Sequence, residues 1–281
     1  RIPSSAASDV YKRQILRKDY LFKMPKLNKD STLNITFVGI GLCLLCSAII
    51  SIIAIQLRSI QENNVVLDMQ KKIVSSAGLT TVYGSVENAM SNIKTMIIDL
   101  DKGEVVDISP DSYELAKELR EEGKYKFLSA ENDIASIKKR EKFSKVYIEY
   151  KDDKINTLIL PVRGYGLWGI LYGYLAIEGD FNTVAGLEFY EHKETPGLGA
   201  EIDNPKWKAL WKGKKIYQED GQVSLKVIKG SVLENSDDFV YEVDGLSGAT
   251  LTCNGVTNLI AYWMGSDGFL NFINNLKEID V

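Results

Sequence analysis

The residues best suited to do chemistry lie late in the chain. Asp244-Gly-Leu-Ser-Gly-Ala-Thr-Leu-Thr-Cys-Asn-Gly-Val-Thr-Asn258 gathers hydroxyls, small side chains and glycines. It runs into Val256, Leu259, Ile260, Trp263 and Met264, whose spacing predicts one apolar face of a helix. The string therefore sits at a helix N-terminus, where free N–H groups and the positive end of the helix dipole suit an anion such as a phosphate. Gly248 and Ala249 leave the backbone open to close approach. Two readings stand at this level, an anion site and a capped helix with nothing bound. A second segment, His192-Lys-Glu-Thr-Pro-Gly-Leu-Gly199, reads as a turn in which Pro196 fixes φ and two glycines permit close contact. A third, Gly164-Tyr-Gly-Leu-Trp-Gly-Ile-Leu-Tyr-Gly173, places Trp168 between glycines, as a stacking residue or a core one. His192, the single histidine, is read as a supporting residue rather than an acid–base catalyst.

The remaining chemical candidates are cysteines. Cys43 and Cys46 form C-x-x-C within an apolar run, on one face of a helix. A cluster or redox pair is conceivable there, but packing against neighbouring helices is the reading preferred. Cys253 stands alone and is taken as structural, so no disulfide framework is expected.

The elements that must carry these residues begin with an anchor. Ile35 to Ile55 holds no charged side chain and is long enough for a hydrocarbon core about 30 Å thick. No cleavage-like small residues follow it, so it reads as a transmembrane helix at 35–55 rather than a signal peptide. Residues 1–23 lack periodicity and are read as a leader outside the native fold, with Met24 as the expected start. Of the eight Lys/Arg in residues 1–34, six lie in that leader, so basic charge alone leaves orientation open.

Beyond the span, 56–140 reads as a stem and accessory α/β region. It contains a helical stem to about Gly84, a strand at Ile97–Leu100 and a helix from Pro110 to Gly123. A charged helix or loop then runs to Arg140. From 144 to 281 strands dominate: a hairpin of Lys145–Tyr150 with Ile155–Val162, then Leu167–Ile177 and Val184–Tyr190, and a later pair at Val223–Ile228 and Phe239–Val243. The last forty residues turn helical. The fold class is α+β, an antiparallel sheet with helices packed against one side. A net charge of −4 removes any general attraction to nucleic acid.

The three glycine-bearing segments also carry a resemblance. Asp244-Gly-Leu-Ser247-Gly248-Ala249-Thr250 resembles the D-x-x-[ST]-G-A-T flavinylation motif of the FMN-binding domain family. His192 to Gly199 resembles that family's H-x-E-T-P-G-L-G signature, and Gly164 to Trp168 its G-x-G-L-W segment. From about Met24 onward the chain is similar to the NqrC family of the sodium-translocating NADH:quinone oxidoreductases. The related RnfG flavoproteins of the Rnf complex rank second, and an anchored flavin-binding sensor module is the alternative from another class.

The resemblance implies covalent FMN, joined to Thr250 by a flavin transferase through a phosphoester. It places Ser247, Gly248, Ala249, Asp244, Glu194, Thr195, Gly197, Leu198 and Trp168 around the flavin. Thr195 and backbone amides would bond the ring, and Leu198 would cover a face. Asp244 and Ser247 would serve transferase recognition or turn geometry. It further implies a single-pass member of a multi-subunit membrane complex, with its N-terminus cytoplasmic and its FMN domain periplasmic. Electrons from NADH would enter through another subunit and leave through a second covalent FMN toward ubiquinone, coupled to sodium export. No catalytic side chain, metal site or NADH site of its own is expected.

Overall fold

The computed structural model describes residues 31–233 and 235–279. The expected leader and Met24 start lie outside the described residues. The chain divides into two compact units, residues 1–64 and 65–281. Helix α1, Thr32–Ser76, carries the described part of the first unit. It is long and apolar enough to cross a membrane, and its apolar side chains from Leu33 through Ile55 are exposed. Cys43 and Cys46 are free on that surface. The anchor and most of the stem are thus one continuous helix, which stops where Gly78 adopts φ 66° and closes the end onto Ser75 O.

The second unit is built on a six-stranded antiparallel sheet. Its strands are β1 (Ile93–Asp99), β2 (Glu104–Val106), β5 (Phe143–Lys151), β6 (Lys154–Tyr165), β7 (Ile170–Glu178) and β8 (Val184–Glu191), in the order β2-β1-β5-β6-β7-β8. The β5–β6 hairpin forms where expected, because Asp152 and Asp153 take φ 52° and 61°, as a tight two-residue turn matching strand twist requires. No break appears at the expected division near 140–144. Instead β1 pairs with β5 from Ile93↔Glu149 to Asp99↔Phe143, joining the accessory region to the sheet.

Both faces of the sheet are covered, whereas a one-sided packing was expected. On one face Leu158, Leu160, Val162, Leu171 and Leu175 meet the late helices. On the other, Ile159, Tyr174 and Ala176 pack against Ile73 and Val74 of α1, Leu79 of α2 (Leu79–Tyr83) and Ala89 of α3 (Val86–Ser91). The C-terminal turns of α1 are therefore core material. The helix expected over 110–123 is reduced to a 3-10 turn, Pro110–Ser112, and a single turn, α4 (Leu115–Glu118). Between them Tyr113 is extended and donates its hydroxyl to Phe143 O at 3.0 Å, a tertiary bond that wins over local helix propensity. The charged stretch before Arg140 contributes a small antiparallel pair, β3 (Tyr125–Phe127) with β4 (Lys139–Glu141).

After α5 (Pro205–Ala209), the later strand pair shrinks to β9 (Lys226–Val227) and β10 (Glu242–Val243), and the two run parallel. Helix α6, Thr250–Trp263, and helix α7, Leu270–Ile279, complete the chain. The predicted apolar face of α6 is buried as expected, with Val256, Leu259, Ile260, Trp263 and Met264 all inaccessible.

Candidate functional site

Helix α6 meets the sheet at very short range. A Cβ on Gly255 would lie 2.4 Å from Tyr165 O, and one on Gly164 would lie 2.5 Å from Leu259 Cβ. Those two absences let α6 rest directly on β6. The Trp263 indole N–H donates to Arg163 O at 2.7 Å and fixes the far end of the helix. The N-terminus of α6 is thereby held at the end of β6, beside the β6–β7 loop.

That N-terminus lacks the cap a helix usually has. Its N-cap is Ala249, which makes no side-chain cap bond, and among the described residues no side chain accepts from the first-turn amides. Alanine is among the poorest N-cap residues, so the choice leaves donors free where serine or aspartate would bind them. Thr250 follows as the first helical residue, with its side chain exposed. The preceding turn is closed by Ala249 N–H donating to Leu246 O at 3.1 Å, with Gly248 at φ 73°, a conformation a Cβ would strain. Cys253 supports it from below: its sulfur accepts from the Leu246 amide at 3.2 Å, and burial pushes its thiol pKa up. Asp244 braces the approach, accepting from Val232 N–H at 2.8 Å through Oδ1, while its carbonyl accepts from the Trp207 indole at 2.8 Å. Ser247 is exposed on the same turn.

Beneath the turn lies Glu194, only 5% exposed. Its Oε1 accepts the amides of Leu167 and Trp168, each at 3.0 Å, and its Oε2 accepts the Thr252 hydroxyl at 2.5 Å. One carboxylate thus joins the three glycine-bearing segments. Gly166 and Gly199 are small for its sake, since a Cβ on either would fall 2.7 Å or 2.6 Å from its oxygens. Both oxygens are engaged internally, so Glu194 positions the site rather than facing a ligand. His192 supports the same loop. Its Nδ1 accepts from the Glu194 amide at 3.2 Å, which leaves the proton on Nε2 for Asp203 Oδ2 at 2.8 Å.

The outward surface is apolar. Trp168 is 62% exposed, Leu251 58% and Leu198 44%, and Leu198 Cδ2 sits 3.0 Å from the Cβ position of Gly248. Trp168 is therefore not a core residue, which resolves the alternative the sequence left open. Thr195 and Gly197 lie exposed on the loop between Glu194 and Leu198, and Thr195 O accepts the amides of Leu198 and Ala200. Beside Thr250 opens a cleft of about 420 Å³, bounded by Lys229, Gly230, Ser231, Ser247 and Asn254. Sequence reasoning missed the Lys229–Ser231 wall and Thr252. The wall carried no signal, whereas Thr252 could have been found as the inward neighbour of an outward Thr250.

This arrangement fits FMN. An exposed hydroxyl at an uncapped helix start can carry a phosphate, the cleft provides a cation and hydroxyls, and the exposed Trp168, Leu198 and Leu251 offer apolar cover to a ring.

Comparison with known proteins agrees with the geometry. Residues 166–265 match the model of the FMN-binding domain. The chain is 46% identical over 256 residues to the NqrC component of the Na(+)-translocating NADH-quinone reductase of Pseudomonas aeruginosa, covering 89% of this chain and 98% of that protein. It is 40% identical to the NqrC component of Vibrio anguillarum, covering 89% of this chain and 97% of that one. Among solved structures, the crystal structure of Shewanella oneidensis NqrC superposes with a TM-score of 0.68 at 33% identity, covering 75% of this chain and 96% of that chain. At that identity and coverage, the chain belongs to the NqrC family of the Na(+)-translocating NADH-quinone reductases.

Proposed function

We propose that this chain is the membrane-anchored, electron-carrying subunit of a Na(+)-translocating NADH-quinone reductase, and that it holds FMN as a phosphoester on Thr250. The observation that carries the reading is the uncapped N-terminus of α6 with Thr250 exposed at its first position. Bound there, FMN supplies one- and two-electron redox chemistry. The protein's part is placement. First-turn amides and the helix dipole stabilise the phosphodiester charge by about 0.3–1 kcal/mol. Lys229 adds a cation along the cleft. Trp168, Leu198 and Leu251 cover the ring, while Glu194 fixes the loops that bear the first two. Asp244, Ser247 and Gly248 shape the turn presented to a flavin transferase.

Helix α1 acts as a single-pass anchor, with the N-terminus cytoplasmic and the FMN domain periplasmic. Covalent attachment suits that side, where a lost flavin cannot be replaced from a cytoplasmic pool. Electrons derived from NADH arrive from one neighbouring subunit and leave to another toward quinone, and the complex couples the flow to sodium export. No bond chemistry on a soluble substrate is assigned to this chain.

The test is a denaturing gel of membranes co-expressing the flavin transferase, followed by peptide mass analysis. The wild-type band fluoresces and the peptide containing Thr250 gains the mass of the FMN moiety; Thr250→Ala abolishes both. Fluorescence retained by the Thr250→Ala band would refute the attachment site.

A further inference from the structure

A second cavity, sharing no residue with the cleft beside Thr250, lies at the end of the sheet by the C-terminal part of α1. Its volume is about 220 Å³. Six aromatic side chains line it: Tyr113, Tyr147, Tyr172, Tyr174, Tyr190 and Trp263. Four of the tyrosines form a continuous chain of ring contacts, with centroid separations of 5.9 Å for Tyr147–Tyr174, 5.1 Å for Tyr174–Tyr190 and 5.9 Å for Tyr172–Tyr190. The cavity is partly open to solvent, so a ligand can enter it and cover the ring surfaces.

Its polar groups indicate the charge of that occupant. Two carboxylates line it and both are paired, Glu141 with Nη2 of Arg163, itself 3% exposed, and Glu114 with Lys117. Lys145 also lines the cavity, packed 5.6 Å from the Tyr113 ring centroid. Burial depresses the Lys145 pKa, Asp111 acts on it only through space, and no carboxylate pairs with it among the described residues. The cavity therefore holds one cation left over from these pairs, Lys145, among flat aromatic faces.

Volume sets the size. A cavity of about 150 Å³ accommodates a benzene ring. The space here takes one ring with a small polar substituent and excludes a flavin or a nucleotide. An inorganic anion would satisfy Lys145 but leave the tyrosine walls bare. From these observations we propose that the tyrosine-lined cavity is a binding site for a small monocyclic aromatic carboxylate, its ring among Tyr172, Tyr174 and Tyr190 and its carboxylate toward Lys145. The site is independent of the cofactor and stands whether or not Thr250 carries FMN.

The experiment is isothermal titration of benzoate into the full-length protein in detergent, with benzyl alcohol and inorganic phosphate as comparison probes. Benzoate is expected to bind, and the other two to bind at least about tenfold more weakly, since each lacks either the charge or the ring. Lys145→Met is expected to weaken benzoate about tenfold or more, as loss of a charge-assisted contact does. Leu115→Trp, which fills the rim, is expected to remove binding. Neither residue lines the cleft beside Thr250, and the circular dichroism spectrum and melting temperature check that both variants fold. Absence of benzoate binding at millimolar concentrations would overturn the proposal. So would equal binding of benzyl alcohol or phosphate, or unchanged benzoate affinity in both variants.

Discussion

Removal of the Glu194 carboxylate tests the idea that one buried group assembles the site. Glu194→Ala strips acceptors from the amides of Leu167 and Trp168 and from the Thr252 hydroxyl at once. Each buried donor left without a partner costs about 1–3 kcal/mol. The three share one acceptor and relax together, so the sum is not additive; a total of about 3–5 kcal/mol is expected. Glu194→Gln is milder. Its carbonyl can keep both amides, and only the Thr252 contact changes, because an amide NH₂ then faces a hydroxyl that must turn to accept; about 1–2 kcal/mol is expected. Thr252→Val should cost about the same as Glu194→Gln, and the pair should show coupling in a double-mutant cycle. Urea unfolding followed by tryptophan fluorescence measures the wild type and the four variants, and flavin incorporation at Thr250 reports the geometry. A Glu194→Ala loss below about 1 kcal/mol, or equal losses in Ala and Gln, would refute the reasoning.

Three further outcomes are expected. Partial burial raises the Asp180 pKa, but bonds from the Thr183 hydroxyl and amide, the Asn182 amide and Lys215 outweigh it and bring the group to about 2. A carboxylate depressed in the folded state contributes stability above its unfolded pKa of about 3.9 and loses it as pH falls toward 2, so Asp180→Asn should cost about 1 kcal/mol at pH 7, after discounting for solvent screening, and nothing near pH 2. Gly255→Ala puts a methyl 2.4 Å from Tyr165 O, with backbone on both sides, so α6 must lift; a loss of about 3 kcal/mol in thermal unfolding and reduced flavinylation are expected. In the absence of the transferase, Thr250→Asp should be more stable than Thr250→Ala by about 0.3–1 kcal/mol, because it places an anion at an uncapped helix start; equal melting temperatures would argue against free donors there.

What the sequence disclosed, and what it hid, divides along physical lines. The helix face of Val256, Leu259, Ile260 and Trp263 was legible because its period is local. So was the β5–β6 hairpin, whose turn residues lie between its strands. The α1 span was legible from length and lack of charge alone. The pairing of β1 with β5 was not, since it joins segments across the long 100–142 excursion, and no local pattern encodes a partner. Helix propensity misled at Pro110–Gly123, where a tertiary bond from Tyr113 broke the run. Motif recognition gathered Glu194, Trp168 and Thr250 into one site but gave no direction to their side chains. Glu194 turned inward and Trp168 outward, and only packing decides that.

The division of labour at α6 follows from where charge can be tolerated. Glu194 reaches the helix from the protein side through Thr252, so its negative charge already lies near the positive end of the dipole. Thr250, two residues earlier, faces the opposite way, toward solvent and the Lys229 wall. A phosphate attached there would share the same helix end without sharing the same space, with the first turn of backbone between the two anions. A serine or aspartate at position 249 would consume donors that the proposed outer anion would use, and a smaller acid at 194 would not reach both the Trp168 amide and Thr252. The helix start thus has an inner anion that builds the loops and an outer position with free donors, and the weak alanine cap is what the proposed phosphoester at Thr250 would require.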